Sequence, residues 1–546
     1  MLPSLFPFAD AWRKPAPLLG SALLALALAC GGGGGGGGSS TPPPAQPYAE
    51  LLFVADATSI RTVNATGTTR TELSTATLPG IPGTYSRAGS LVTVTLKNHQ
   101  IRNGLWMDLT FNAGTGGTAT SGKYKVTVVD ADTFTLTDSA SGTITGGTMF
   151  RKPGFTFTGT YTQAGTTVTV TVPNHGLAVN DQVDLAFSSG TATNTAQKIT
   201  AVTNDTFTLT HPTAATTSGN VSASFGTNYS IFDVAMHPSG KWLYVASFYD
   251  CGWGTPYCWG GDAIHRFAIN WTTGALTHEA SIHAPANDKY DAPVALAFSP
   301  DGTRMYNQDD NWDGLRMWSV DTTTGALAYL AQSQENVSGA HGLAVSANGS
   351  RVYHGNSVYT PTPTTFLRTT AGNTYDNSHV IIGNNLFGAG VDSDWSLRVY
   401  SLANPDAPTL TTSAPTKLTN QARSIALNST GSRIVASGWG GLKSWSFDGA
   451  AFTAVAGAGG ELRDGGNPWP TGGTRRMYRT VSMNSAANLL AAAYFTNYTN
   501  TPSGAYKSGP PSGYILASLA TDGSLALVSD TTNMTYARVA RFCKKP

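Results

Sequence analysis

Val234-Ala-Met-His-Pro-Ser-Gly-Lys-Trp-Leu-Tyr-Val245 and Leu296-Ala-Phe-Ser-Pro-Asp-Gly-Thr-Arg-Met-Tyr306 share one pattern: an apolar run, a short polar turn and a second apolar run. It returns in Leu343-Ala-Val-Ser-Ala-Asn-Gly-Ser-Arg-Val-Tyr353, in Ile425-Ala-Leu-Asn-Ser-Thr-Gly-Ser-Arg-Ile-Val435 and, more loosely, in Val481-Ser-Met-Asn-Ser-Ala-Ala-Asn-Leu-Leu490. Each copy reads as two strands joined by a tight turn, with glycine in the first four where positive φ is needed. A third strand follows in Ile264-His-Arg-Phe-Ala-Ile269, Leu315-Arg-Met-Trp318, Leu397-Arg-Val-Tyr400 and Leu442-Lys-Ser-Trp445. Thr272-Thr-Gly-Ala-Leu-Thr277 and Thr323-Thr-Gly-Ala-Leu327 then turn into a fourth. A recurring unit of four antiparallel strands makes this an all-β chain of small repeated sheets.

The two ends supply one more unit. Glu50-Leu-Leu-Phe-Val-Ala-Asp56 and Ser59-Ile-Arg-Thr-Val63 read as second and third strands of a unit lacking its first, and Tyr536-Ala-Arg-Val-Ala-Arg-Phe542 reads as a lone first strand. Joined, they remove an exposed sheet edge. Units with a "SPDG" turn and a "TGAL" turn resemble the blades of lactonase-type β-propellers, the family with YVTN-like repeats. The resemblance covers 48–77 and 228–546. It implies a six- or seven-bladed β-propeller closed by the N- and C-terminal strands. Counting the composite unit gives six blades; seven is the commoner number in that family, and the long segment 356–394 is the place for another.

A different repeat interrupts the first part of the chain. Gly83-Thr-Tyr-Ser-Arg-Ala-Gly-Ser-Leu-Val-Thr-Val-Thr-Leu-Lys-Asn-His99 returns as Gly159-Thr-Tyr-Thr-Gln-Ala-Gly-Thr-Thr-Val-Thr-Val-Thr-Val-Pro-Asn-His175, and Asp132-Thr-Phe-Thr-Leu-Thr137 as Asp205-Thr-Phe-Thr-Leu-Thr210. The period-two alternation predicts two small tandem β modules, 79–152 and 153–226. They look like repeats of phage tail and bacterial surface proteins, which implies a spacer or adhesive role. His99 and His175 recur at equivalent places and read as turn or packing histidines. The propeller portions are then 47–78, the closing strands, and 227–546, the blades.

Arg13 and Lys14 precede the apolar run Leu23-Leu-Ala-Leu-Ala-Leu-Ala29, which ends at Cys30. A charged n-region before about a dozen apolar residues is a secretory signal rather than a span of a ~30 Å hydrocarbon core. Cys30 after a small residue resembles a bacterial lipobox, although Ala27 stands where that family prefers leucine. The resemblance implies cleavage and acylation at Cys30, with 1–30 as signal peptide. The glycines, serines and prolines of 31–46 cannot build a core and form a flexible tether. The expected location is the cell envelope, lipid-anchored at the periplasmic or surface face of a Gram-negative outer membrane.

Charged residues make up 12% of the 546-residue chain and the formal net charge is +1. That balance gives no electrostatic reason to expect nucleic acid or an anionic bilayer. Cys251 and Cys258, seven apart in Cys251-Gly-Trp-Gly-Thr-Pro-Tyr-Cys258, suit a loop disulfide in an oxidising compartment, and Cys543 is left over.

With four strands a to d, the b-to-c loops and d-to-a connections emerge on one face of a propeller. The long connections 249–262, 307–314, 356–394 and 495–512 and both modules belong there. That loop face carries Trp253, Tyr257, Trp259, Trp312, Tyr359, Tyr498 and Tyr506, candidate ligand contacts. Aligning the first strands puts Phe232, Val294, His341, Arg423 and Arg479 in one column near the channel mouth, with Arg538 joining after a shift of one. Arginine presents a planar fork to a carboxylate. The resembled lactonases and cycloisomerases act on carboxylated sugars and muconates with Arg, His and Glu in this central site, which implies roles for His341, Arg423 and Arg479; Glu335 and Glu461 lie only nearby in sequence. The same arginines suit struts to Asp233 or Asp291 equally well. The expected partner in solution is a small anionic molecule or a polysaccharide, and the other function class is a non-catalytic scaffold. No cofactor is implied. Asp309, Asn311 and Asp313 fit the first half of a calcium loop, but position twelve is Val320, so an EF-hand is rejected; another calcium loop or an Asx-rich turn remains. Ser-His-Asp order, P-loop, G-x-S-x-G and haem signatures are missing.

Overall fold

The computed structural model describes residues 46–546 apart from 67–68, 97–98, 100, 153–154, 226–228, 250–262, 283–292, 310–313 and 334–341. Also outside the description are 356, 371–375, 391–396, 415–422, 439–440, 456–459, 464–473, 500–505, 509–511 and 535–536. The described residues form seven antiparallel blade sheets, five of four strands and two of four strands with a short fifth, plus the two inserted modules.

Blade one comprises Tyr229–Met236, Trp242–Tyr249, Ala263–Ile269 and Leu276–Ile282, in that order from inside to outside. Blades two to six begin with inner strands Pro293–Phe298, Leu343–Val345, Asp376–Ile382, Ser424–Leu427 and Thr474–Met483. Blade seven is composite: Val539–Lys544 is its inner strand, followed by Glu50–Ala55, Ser59–Thr66 and Thr69–Thr77. Each inner strand touches that of the next blade, and Val539–Lys544 touches Tyr229–Met236, so the ring closes. The closing pairing runs from Glu50 opposite Lys544 to Ala55 opposite Val539.

The additional blade opens within 356–394. Ser357–Pro361 and Phe366–Thr370 finish blade three, and Asp376–Ile382 with Asn385–Gly390 open blade four, which takes over Leu397–Ser401 as its third strand. Its first hairpin turns tightly through Gly383 and Asn384, Ile382 facing Asn385, so no "SPDG" string marks it.

Burial explains the patterning. Strands near the axis are sandwiched on both sides: Leu51, Leu52, Phe53, Val54 and Ala55 are all fully buried. Such strands read as continuous apolar runs, whereas the outer Thr69–Thr77 is threonine-rich and largely exposed. Between blades one and two, Tyr244, Met305 and Trp318 share one apolar cluster, each side chain contributing about 1.5–3 kcal/mol.

The two modules share one fold and one pair of tight approaches. A Cβ on Gly83 would lie 2.9 Å from the Thr95 carbonyl oxygen, and one on Gly159 2.2 Å from that of Thr171. Only glycine lets the paired strands close there. His99 and His175 are core residues, as expected of packing histidines. Their Nδ1 atoms accept the N–H of Ile101 and Leu177 at 2.9 Å, and their rings meet Phe134 and Phe207 edge-on. Arg102 grips Asp181 with both nitrogens, at 3.1 and 2.7 Å, tying one module to the next. Phe150 of the first module meets His278 on the outer strand of blade one edge-on at 5.7 Å.

Candidate functional site

The column read from the sequence coincides with a recurring irregularity of the inner strands. Pairing slips by one residue between Ile231 and Asp233, Pro293 and Ala295, Asp376 and Ser378, and Tyr478 and Thr480. The extra residues are Phe232, Val294, Asn377 and Arg479. Arg423 and Arg538 hold the same place at strand starts: Arg423 N–H bonds Ser437 O at 2.8 Å while Ser424 faces Ser437, and Arg538 N–H bonds Ala55 O at 3.1 Å while Val539 faces Ala55. A bulge locally increases the twist of a strand, and here it recurs at one backbone level of the inner strands. Arg538 is 4% exposed, and its guanidinium carbon lies 3.9 Å from the Phe232 ring centroid. That cation–π contact joins blades seven and one and is worth about 0.5–2 kcal/mol. Arg423 and Arg479 are half-buried. Blades five, six and seven, which carry the three arginines, are consecutive around the ring.

Sequence reasoning missed what the next residue does. The Asp233 carboxylate accepts Leu296 N–H of blade two at 2.9 Å. Ser378 Oγ accepts Ile425 N–H at 3.3 Å, Ser424 Oγ accepts Val481 N–H at 3.3 Å, and Thr480 Oγ1 accepts Ala540 N–H at 2.9 Å. Four of the blade boundaries are thus stitched by one device, a polar side chain just after the bulge. Only Asp233, an isolated carboxylate in an apolar run, gave a local signal; Ser378, Ser424 and Thr480 follow another polar residue and gave none. Asp233 also pairs with Arg541 at 2.9 Å, so the arginine on this carboxylate comes from the middle of blade seven's inner strand. Burial raises the Asp233 pKa, and the Arg541 charge opposes the rise.

Of the other sequence candidates, Glu461 lies on Glu461–Arg463 beside the third strand of blade five, with Lys443 at 3.0 Å, away from the column. Tyr359 is fully buried inside blade three against Phe366, so it leaves the set of loop-face aromatics. His341, Trp253, Tyr257, Trp259, Trp312, Asn311, Asp313, Glu335, Asp291, Cys30, Cys251 and Cys258 fall outside the described residues. Asp309, Tyr498 and Tyr506 are described only as strand backbone. Cys543 is a buried free thiol whose pKa burial pushes up to about 12. Among the described residues no three His, Cys, Asp or Glu side chains converge as a metal ion requires, and no helix is long and apolar enough to cross a membrane.

No family model matches the chain, and no curated protein is similar to it. Among solved structures, a periplasmic gluconolactonase of Pseudomonas aeruginosa is 12% identical with a TM-score of 0.35, over 52% of this chain and 96% of that one. A protein of Bacteroides fragilis NCTC 9343, provisionally assigned as a 6-phosphogluconolactonase, is 12% identical with a TM-score of 0.42, over 67% and 98%. The WD40 repeats of RRP9 are 13% identical with a TM-score of 0.38, over 56% and 82%. At such values the likeness stands as description only, and the propeller architecture rests on the order and closure of its sheets.

Proposed function

We propose that this chain is an envelope-anchored β-propeller that binds a small anionic ligand, such as a lactone or sugar acid, at the mouth of its central channel. The observation that carries this reading is the shared register place of Arg423, Arg479 and Arg538 on three consecutive inner strands. Three guanidinium groups on one arc raise the local positive potential and favour an anion. Each charge-assisted hydrogen bond from a guanidinium to a carboxylate contributes about 1.5–3 kcal/mol. His341, aligned to the same column, is the group suited to proton transfer at neutral pH, so lactone hydrolysis or cycloisomerisation would run through it. The anchor is the acylated Cys30. A second reading, a non-catalytic scaffold touching a polymer or partner protein through the modules, draws support from the Arg102–Asp181 clasp, which makes the pair one stiff projection.

The test is a heat-stability screen of the chain from Gln46 onward against lactones, aldonic acids and oligosaccharides. A ligand at a hundred times its Kd should stabilise the protein by about 2.7 kcal/mol. Stabilisation by an anion that disappears in Arg479→Met supports the channel site. Stabilisation only by oligosaccharide, unchanged in Arg479→Met, supports the scaffold.

A further inference from the structure

The composite blade fixes where the tether leaves the ring. In blades one to six the first and second strands are joined by a turn, such as His237–Lys241 in blade one. In blade seven that turn is replaced by the two chain ends, because the first strand finishes at Lys544 and the second starts at Glu50 opposite it. Both ends are held there. Tyr48 N–H bonds Trp271 O at 2.7 Å, Lys545 N–H bonds Ala49 O at 2.8 Å, and Trp271 Nε1 donates to Gly240 O at 2.7 Å. Pro546 lies so close that a Cβ on Gly240 would stand 2.4 Å from its Cδ. Gly240 and Trp271 belong to the two turns of blade one, so Tyr48 sits on the turn face. Gln46 and Pro47 are exposed just before it. The bulge column lies at the opposite end of the inner strands, and the modules begin after Thr77, where the outer strand of blade seven reaches the loop face.

From this we propose that the anchored protein stands on the bilayer with its turn face toward the lipid and its channel mouth turned away. The inference rests on acylation at Cys30. The tether 31–45 has a root-mean-square reach of roughly 20 Å. An inner strand of six residues is itself about 20 Å long. Turning the loop face to the lipid would require the tether to run the full height of a blade. The partner of the turn face is therefore the lipid surface, and the channel opens to the aqueous side.

The experiment uses the full acylated chain reconstituted in phosphatidylethanolamine–phosphatidylglycerol vesicles bearing acceptor-labelled headgroups. A non-coded residue carrying a donor dye replaces either Ala347, exposed in the first turn of blade three, or Ser413, exposed at the loop end of the outer strand of blade four. Energy transfer from position 347 should exceed that from 413 at least about twofold, given a height difference of roughly 20 Å. Equal transfer, or more from 413, on a chain that stays with the vesicles overturns the orientation and leaves the anchor standing. A wild-type chain that leaves the vesicles as completely as Cys30→Ser overturns the anchor and the orientation together.

Discussion

At the turn end of the ring, the first hairpins of blades one, two, three and five share one glycine geometry; at the loop end, one backbone place holds Phe, Val or Asn in blades one, two and four and arginine in blades five to seven. The repeat arginine of that turn joins neighbouring blades. Arg304 donates to Thr362 O of blade three at 2.7 Å, Arg351 clasps Asp406 of blade four at 2.5 and 3.0 Å, and Arg433 donates to Thr521 O of blade six. Each reaches the second turn of the following blade. The turn glycines match, with φ of 69, 72, 70 and 73° at Gly240, Gly302, Gly349 and Gly431. The bulge place instead holds Phe232, Val294, Asn377, Arg423, Arg479 and Arg538. A repeated turn chemistry holds neighbouring blades together, whereas the bulge place changes residue type around the ring and puts arginine on three consecutive blades, one of which, Arg538, also joins blades through Phe232.

Replacing Asp233 with Ala should produce the largest loss of stability. The change leaves Leu296 and Val234 N–H groups without their carboxylate and strips Arg541 of its partner. Breaking a buried pair costs about 3–5 kcal/mol, and since Arg541 is 38% exposed the expected loss is near the lower end, about 3 kcal/mol. Chemical denaturation measures it, and a loss below about 1 kcal/mol would mean that the stitch at this boundary is dispensable.

The two arginine sets give the sharpest contrast. Arg479→Met should weaken anion binding by about 1.5–3 kcal/mol, roughly 10- to 150-fold, and leave the melting temperature in place. Arg351→Ala should do the reverse: no change in binding and about 1 kcal/mol of lost stability, since its ion pair is partly exposed. Titration and thermal melts on both variants suffice. Lost stability in Arg479→Met with unchanged affinity would merge the two sets into one structural class.

A smaller effect is expected in blade six, where Ala487 takes the turn-glycine place with φ of 53°. Ala487→Gly relieves the left-handed strain and adds unfolded-state freedom, a net gain of roughly 0.5–1 kcal/mol. A destabilised Ala487→Gly would show that this turn is not strained like its counterparts.

The smallest expected effect is a pH dependence at the turn end. His237 Nε2 donates to Gly302 O at 2.9 Å, and its Nδ1 accepts Ser239 N–H at 3.1 Å, an arrangement that needs the neutral ring. Burial lowers its pKa below the ordinary 6.5, as it does for His278 at the module contact. The unfolded chain therefore takes up the proton first, and stability falls as pH drops below about 6.5 toward the folded pKa. Asp233, raised by burial, titrates with the opposite sign, so the histidine share is the difference between wild type and His237→Gln. Identical pH slopes for the two proteins would remove His237 from the account.

Local rules made much of this molecule readable in advance. Apolar runs around a turn glycine specify a hairpin because positive φ and a buried strand each demand a residue type, so the repeated units and the duplicated modules could be found by eye. The closing blade was legible for a similar reason: an unpaired apolar strand at each end has only the other to cover it. The shared column of Phe232, Val294, Arg423 and Arg479 also followed from aligning those repeats. The tertiary structure alone decided the rest. Blade four escaped because a two-residue turn needs no "SPDG" string. That column residues are bulged, and that Asp233, Ser378, Ser424 and Thr480 stitch neighbouring blades, depends on hydrogen bonds between strands tens of residues apart, which no local pattern encodes. Arg541 on Asp233 is the clearest case: 308 positions separate two charges that meet only because the ring closes.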